Sequence, residues 1–395
     1  MDHSCFLPCR LSLLVLVSTF IFSSCAGSTP DNTLEREAAL RVHEDTLVAV
    51  APNPSLDTLS DDLASMVAGL DPKKYKNKNI TECERLTFNN KVEKDWGLVT
   101  KHKIDPITRW LGKNMAKESK DSATLFYPFA GADFLYPHTF FPECRNFILV
   151  GLEPIGKLLR CDTMDHAATL SYLEKIRMSL YYSNNLGFFR TESMQKDLNQ
   201  QGLNGTLPVL AFYIKRTHHL IHRIVYFSLD TAGIPRPCAI DHAPVGYRID
   251  FADSTLAQEQ SVYYLSFDLS DGNLKKHPEM LAFVKGFGRQ ECFLKAASYL
   301  MFGAGFSVIR NYLLDNALLI LQDDSGIPYR SFKSTKWEVQ LFGTYTKTIG
   351  MFEHKFQPDL EAAYAALQKP HPVPFRIGYN VKFDETNLVL AKRKD

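Results

Sequence analysis

The segment LFYPFAGADFLYPHTFFPECRNFILVGLEPIG, residues 125–156, constrains the fold more than any other part of the chain. It reads as an apolar strand, a turn at Gly131, a short helix from Asp133, a second apolar strand and then Glu153. That is the pattern of a βαβ unit, whose parallel strands need a crossover between them. Glu153 follows Gly131 by 22 residues. In dinucleotide-binding units an acid about 20 residues past the glycine turn meets the ribose hydroxyls.

The glycines depart from that fingerprint. A GxGxxG turn needs three, and only Gly131 is present. The segment therefore resembles the opening of a degenerate Rossmann-like methyltransferase fold, over 124–154. Tyr127, Gly131, Asp133 and Glu153 become the candidate ligand-binding residues. Two carboxylates at the ends of adjacent strands, Asp133 and Glu153, also suit acid–base work or a metal. The blander alternative is an Asp at a helix start and a Glu fixing the turn before Pro154. An exported chain has no evident supply of S-adenosylmethionine, so methyl transfer is not the expected activity, and no cofactor is assigned.

Export is read from the N-terminus. Residues 11–22, LSLLVLVSTFIF, are an uncharged run of 12, too short to span about 30 Å of hydrocarbon as a helix. Such a run fits the central region of a secretory signal. Ser23, Ser24 and Cys25 follow it and resemble the lipobox of bacterial lipoproteins, which implies lipidation at Cys25 and a membrane anchor. Phe22 stands where that family usually has Leu. The expected organisation is a signal at 1–24, a lipid-anchored tether at 25–57, a helical segment at 58–120 and one α/β or α+β domain at 121–395.

Charge excludes one class. Lys and Arg number 45 against 44 Asp and Glu, a net charge of +1. A nucleic-acid binder would carry a basic surplus. Cys83, Cys144, Cys161, Cys238 and Cys292 remain past the signal, with no CxxC spacing. Five is odd, so at least one thiol stays free unless it pairs between chains, and a single bridge such as Cys144–Cys161 is the pairing to look for.

Within 58–120, Thr81 and Glu84 predict a capping box, followed by Phe88, Val92, Trp96 and Val99 at helical spacing. Asp105-Pro106 predicts a second start. Strands are predicted at 224–229, 245–251, 261–267, 317–321, 375–381 and 387–391. Helices are predicted at 166–182, 195–201, 278–287, 291–316 and 358–368.

Further candidates for chemistry are sparse. Asp323 and Asp324 open DDSGIP, which echoes DTAGIP at Asp230 and, loosely, DLSDG at Asp268. Turn chemistry explains all three, since Asp bonds its own backbone; a shared acidic site is the sharper alternative. His218 and His222, four apart in RTHHLIHR, would share a helical face and are weak zinc candidates. His138 is a lone candidate base. No GxSxG elbow and no GxxxxGK[ST] loop occurs.

Several segments together, FYPFAGADFLYPHTFFP, GLEPIG, ILQDDSGIPYRSF and PFRIGY among them, resemble a family of uncharacterised exported bacterial proteins. The resemblance covers about residues 84–395. It implies a signal-bearing envelope protein; that compartment and the lack of a complete catalytic set make a binding or structural role the expectation, with the membrane reached through Cys25 and an envelope protein or polymer as partners. It carries over no activity and no catalytic residues. The alternative is a ligand-binding, hydrolytic or transferase enzyme using the 127–154 loops.

Overall fold

The computed structural model describes residues 57–115, 124–186, 205–253, 259–369, 371–379 and 385–394. The signal, Cys25, nearly all of the tether and the helix expected at 195–201 lie outside the described residues.

Ten strands form one sheet: β1 (Thr124–Tyr127), β2 (Asn146–Gly151), β3 (His219–Leu229), β4 (Pro235–Pro237), β5 (Gly246–Asp253), β6 (Glu259–Ser266), β7 (Glu291–Leu294), β8 (Leu319–Gln322), β9 (Trp337–Gly343) and β10 (Asn387–Arg393). Their order is β4-β3-β5-β6-β2-β1-β7-β8-β10-β9. The middle five, β6-β2-β1-β7-β8, are parallel. Both flanks are antiparallel. The protein is therefore an α/β protein with a mixed sheet.

The βαβ unit is present. Helix Leu135–Phe140 joins β1 to β2, and Leu125 pairs with Phe147 in parallel register. Counted along the chain, the parallel strands lie third-second-first-fourth-fifth, the doubly wound order of dinucleotide-binding folds. The order reverses between β1 and β7, which places the topological switch point there.

The parallel strands are apolar on both faces because helices cover both. The remaining helices, with Leu135–Phe140 as α4, are α1 (Thr58–Val67), α2 (Glu82–Val99), α3 (Asp105–Asn114), α5 (His166–Leu186), α6 (Leu207–Arg216), α7 (Asp271–Lys276), α8 (Glu279–Gly286), α9 (Ser307–Asn316) and α10 (Pro358–Ala365). Leu125, Tyr127, Phe147, Leu149 and Phe293 point to one face, into a core shared with residues of α1 to α6. Phe126, Ile148, Val150, Cys292 and Leu294 point to the other, against α7, α8 and α9. The alternation is the period of two of a strand.

The N-terminal helices thus share a core with the sheet. Thr81 caps α2 through the Glu84 amide while the Glu84 carboxylate accepts from the Thr81 amide, as the sequence predicts. A π turn, Thr100–Ile104, carries α2 directly into α3, with Pro106 in its first turn.

Three expectations fail. The helix expected at 291–316 is strand β7, an irregular loop and then α9, only Ser307–Asn316. Ala296, Ser298 and Tyr299 adopt positive φ, which stops any helix there. Residues 375–379 form no strand. Phe375 and Ile377 are buried, and Phe375 packs edge-on against Trp110 and Phe140. RTHHLIHR is not a helix either: α6 ends at Arg216, His218 turns at φ +67°, and β3 begins at His219.

Candidate functional site

The loops leaving β1, β2, β6 and β7 enclose a cavity of about 110 Å³ at the carboxyl ends of the strands. Open α/β sheets build ligand sites in this crevice, at the switch point. Gly131, Gly151, Glu153, Asp268 and Ser298 are among its walls. Glu153 is 3 % exposed. The Tyr264 hydroxyl donates to the Glu153 carbonyl at 2.9 Å and lies 3.4 Å from Oε2. Two glycines make room for the carboxylate. A Cβ at Gly131 would sit 3.3 Å from Glu153 Oε1, and one at Gly151 would sit 2.5 Å from Oε2. Gly131 also needs glycine's freedom, at φ +56°. Glycine turn and acid, paired by spacing in the sequence, do meet.

Asp133 does not join them. Its carboxylate accepts from Lys295 Nζ at 2.6 Å, with both side chains almost fully buried. The Tyr127 hydroxyl donates to the same oxygen at 3.2 Å, and Lys295 Nζ lies 3.8 Å from the Tyr136 ring centre. Burial pushes the Tyr127 phenol up and the Lys295 ammonium down, and Asp133 opposes the latter. Tyr127 and Asp133 are thus outside the crevice walls, in a charged layer inside the protein.

Asp323 and Asp324, leaving β8, extend that layer. Asp323 accepts from the Ala296 amide at 2.8 Å and the Ser325 amide at 2.9 Å. Asp324 accepts from the Tyr299 hydroxyl at 2.5 Å and from Asn387 Nδ2 at 3.0 Å. Burial raises the Asp323 carboxyl. Burial, and then the charge of Asp323, push Asp324 up to about 7. Lys103 donates to the Arg376 carbonyl at 3.1 Å, and burial, then Lys295 and Arg376, bring its ammonium down to about 7.

These contacts hold the strained loop after β7. Asp323 takes the Ala296 amide, the Ser325 hydroxyl takes the Ala297 amide at 2.8 Å, and the Ser325 carbonyl takes the Tyr299 amide at 3.1 Å. Ser298 shares a hydrogen bond with the Tyr379 hydroxyl at 2.7 Å. Three non-glycine residues at positive φ within four positions cost about 1–3 kcal/mol each, and such strain clusters at ligand sites. This loop forms one wall of the crevice through Ala296 to Ser298.

The other candidates lie elsewhere. His138 packs on Phe134 and His219, and burial brings its imidazole down to about 3, so it is neutral. His138 and His218 line a separate, mostly apolar cavity of about 470 Å³. His222 lies on β3, 3.3 Å from Glu259. Among the described residues no three His, Cys, Asp or Glu side chains could hold a metal together.

The echoed turns do not form one acidic site. Asp230 caps an exposed hairpin and pairs with Arg236, Asp268 caps a turn at the crevice rim, and only Asp323 is interior. No disulfide joins the five cysteines among the described residues, so Cys144 and Cys161 are not bridged. Sequence reasoning missed Lys295, Lys103 and Tyr299. Lys295 and Tyr299 fall in the stretch read as helix. The available signal was a short apolar run, CFL, ended by a lysine.

Fold and crevice together define a doubly wound α/β protein with a crevice at its switch point. Comparison of the chain with family models, curated proteins and solved structures finds no match. No helix among the described residues is long and apolar enough to cross a membrane.

Proposed function

We propose that this chain binds a small molecule carrying vicinal hydroxyls, a sugar or the ribose of a nucleoside, in the crevice beside Glu153. The observation that carries the reading is the Glu153 carboxylate, buried at the carboxyl end of β2 and cradled by Gly131 and Gly151. A carboxylate is an acceptor with about four lone-pair sites, so it suits two adjacent hydroxyl donors. The cavity, about 110 Å³, is well below the roughly 300–1,000 Å³ of drug-sized ligand sites. It suits one ring rather than a dinucleotide.

The place of action in this reading is the bacterial envelope, with Cys25 lipidated and the rest of the chain outside the cytoplasm. Its support is the uncharged run of 12 residues ahead of Ser23-Ser24-Cys25. A hydrolytic or transferase role for Asp133 with Glu153 has less support, because Lys295 already neutralises Asp133.

The test is thermal unfolding of the full chain against ribose, hexoses, nucleosides, S-adenosylmethionine and divalent metals. A ligand at 100 times its dissociation constant adds about 2.7 kcal/mol. A polyhydroxyl ligand should raise Tm, and Glu153→Gln should abolish the rise. A flat response across the panel rejects the reading. Palmitate labelling that persists in Cys25→Ser rejects lipidation at Cys25.

A further inference from the structure

On the sheet face opposite the N-terminal helices, α9 and the segment 328–337 enclose a second concavity of about 450 Å³. Its walls carry Arg310, Arg330, Lys333 and Lys336, and Asp315 is the one carboxylate among them. Asp315 lies 3.9 Å from Lys336, with both side chains more than half exposed. A pair so long and so exposed to solvent is weak. Arg330 and Lys333 are exposed and have no carboxylate within ion-pair distance among the described residues. Arg310 is anchored: its guanidinium donates to the Met301 carbonyl at 2.7 Å, which fixes it at the wall. Trp337 is 2 % exposed and gives the site a rigid base, with the Arg393 guanidinium 4.8 Å from its ring centre.

A chain of net charge +1 has no general basic excess, so four cations against one acid at one concavity are a local feature. Four cations gathered with a single acid repel each other and cost stability unless an anion joins them. We propose that this concavity is a binding site for a phosphate monoester. Guanidinium groups take two phosphate oxygens at once, and lysines add point charge. The dianion fits the surplus better than a single carboxylate does. The volume leaves space for the group that bears the phosphate, either a soluble metabolite or a lipid headgroup. None of its lining residues belongs to the Glu153 crevice, so the two sites stand or fall separately.

Calorimetric titration of the full chain with glycerol 3-phosphate, a soluble phosphate monoester, tests the free ligand. Sedimentation with phosphatidylcholine vesicles, with and without phosphatidic acid, tests the headgroup. The double variant Arg330→Gln with Lys333→Gln should weaken whichever probe binds by about tenfold or more, which corresponds to the loss of one to two charge-assisted contacts. Both side chains are exposed, so the unliganded variant should keep its packing, and relief of the repulsion should leave its Tm at or slightly above that of the wild type. Binding of glycerol 3-phosphate alone points to a soluble ligand, and binding of phosphatidic acid vesicles points to a headgroup. Three results overturn the proposal: no binding of either probe, binding that survives the double variant, or equal affinity for citrate.

Discussion

Lys295 and Asp133 form a buried ion pair, 2.6 Å long, that ties the carboxyl end of β7 to the turn after β1. It bridges the switch point from beneath. Two charges removed from water need each other. Replacing one partner strands the other and costs about 3–5 kcal/mol, whereas replacing both by matched apolar groups is often neutral. Lys295→Met and Asp133→Leu should each lower unfolding free energy by that amount in urea titrations. The double variant should recover most of the loss. Additive losses would show that the pair is not the stabilising unit.

Gly378 is held against Asp323. It sits at φ +68°, and a Cβ there would overlap Asp323 Oδ2. The carboxylate cannot yield, because it holds the Ala296 and Ser325 amides. Gly378→Ala should therefore cost about 1–3 kcal/mol by overpacking and more by backbone strain. It should also disturb the loop after β7. Urea titration gives the cost, and hydrogen exchange at the Ala296 amide reports the loop. Unchanged protection at that amide would separate Gly378 from the crevice wall.

The cap on α9 is supplied from another element. Asp271, in α7, accepts from the Ser307 hydroxyl at 2.6 Å and from the Ser307 and Val308 amides at 3.1 and 2.9 Å. Removing a side chain that caps a helix costs about 0.5–2 kcal/mol. Asp271→Ala should fall in that range in urea titration, and Asp271→Asn should cost less. Equal losses in the two variants would assign the effect to charge rather than to capping.

The βαβ unit was legible because its signals are local. Apolar runs, Gly131 and Glu153 lie within 30 residues, and strand order then follows from parallel pairing. The capping box at Thr81 was legible for the same reason. The stretch after Gln290 was not. Only Cys292, Phe293 and Leu294 are apolar there, between Glu291 and Lys295, with the uncharged stretch 296–309 close behind, and periodicity does not separate so short a strand from a helix. With β7 misread, Lys295 had no reason to meet Asp133, since 162 residues separate them. The histidines of RTHHLIHR were misassigned because the break falls at one residue, His218, whose positive φ no periodicity reports.

His138 makes the fold sensitive to acid. Its ring is buried among Phe134, Phe147, Phe251 and His219, and burial brings it down to about 3. Unfolded, it titrates near ~6.5. Between those values the unfolded chain binds the extra proton, so this group makes the fold weaker as pH falls from about 6.5 to about 3. His138→Gln cannot gain that proton. The wild type should lose stability relative to the variant across this window, measured by urea titration at each pH. Parallel curves would mean that the ring protonates without opening the fold.

Asp324 acts in the opposite sense. Folded, it titrates near about 7; unfolded, near ~3.9. In that window the folded state holds the extra proton. Stability from this group is therefore greatest at the acid end, falls as pH rises from about 4 to about 7, and stays lost above. Asp324→Asn mimics the protonated form. Asn387 still donates to its oxygen, and the Tyr299 hydroxyl, now turned, accepts from its amide. The variant should match wild type near pH 4 and exceed it by a few kcal/mol at pH 8. Because Tyr299 closes the loop after β7, the variant should also remove any pH dependence of ligand binding in the crevice over the same window. A wild type that gains on the variant as pH rises would place the carboxyl below its ordinary range and reverse the assignment.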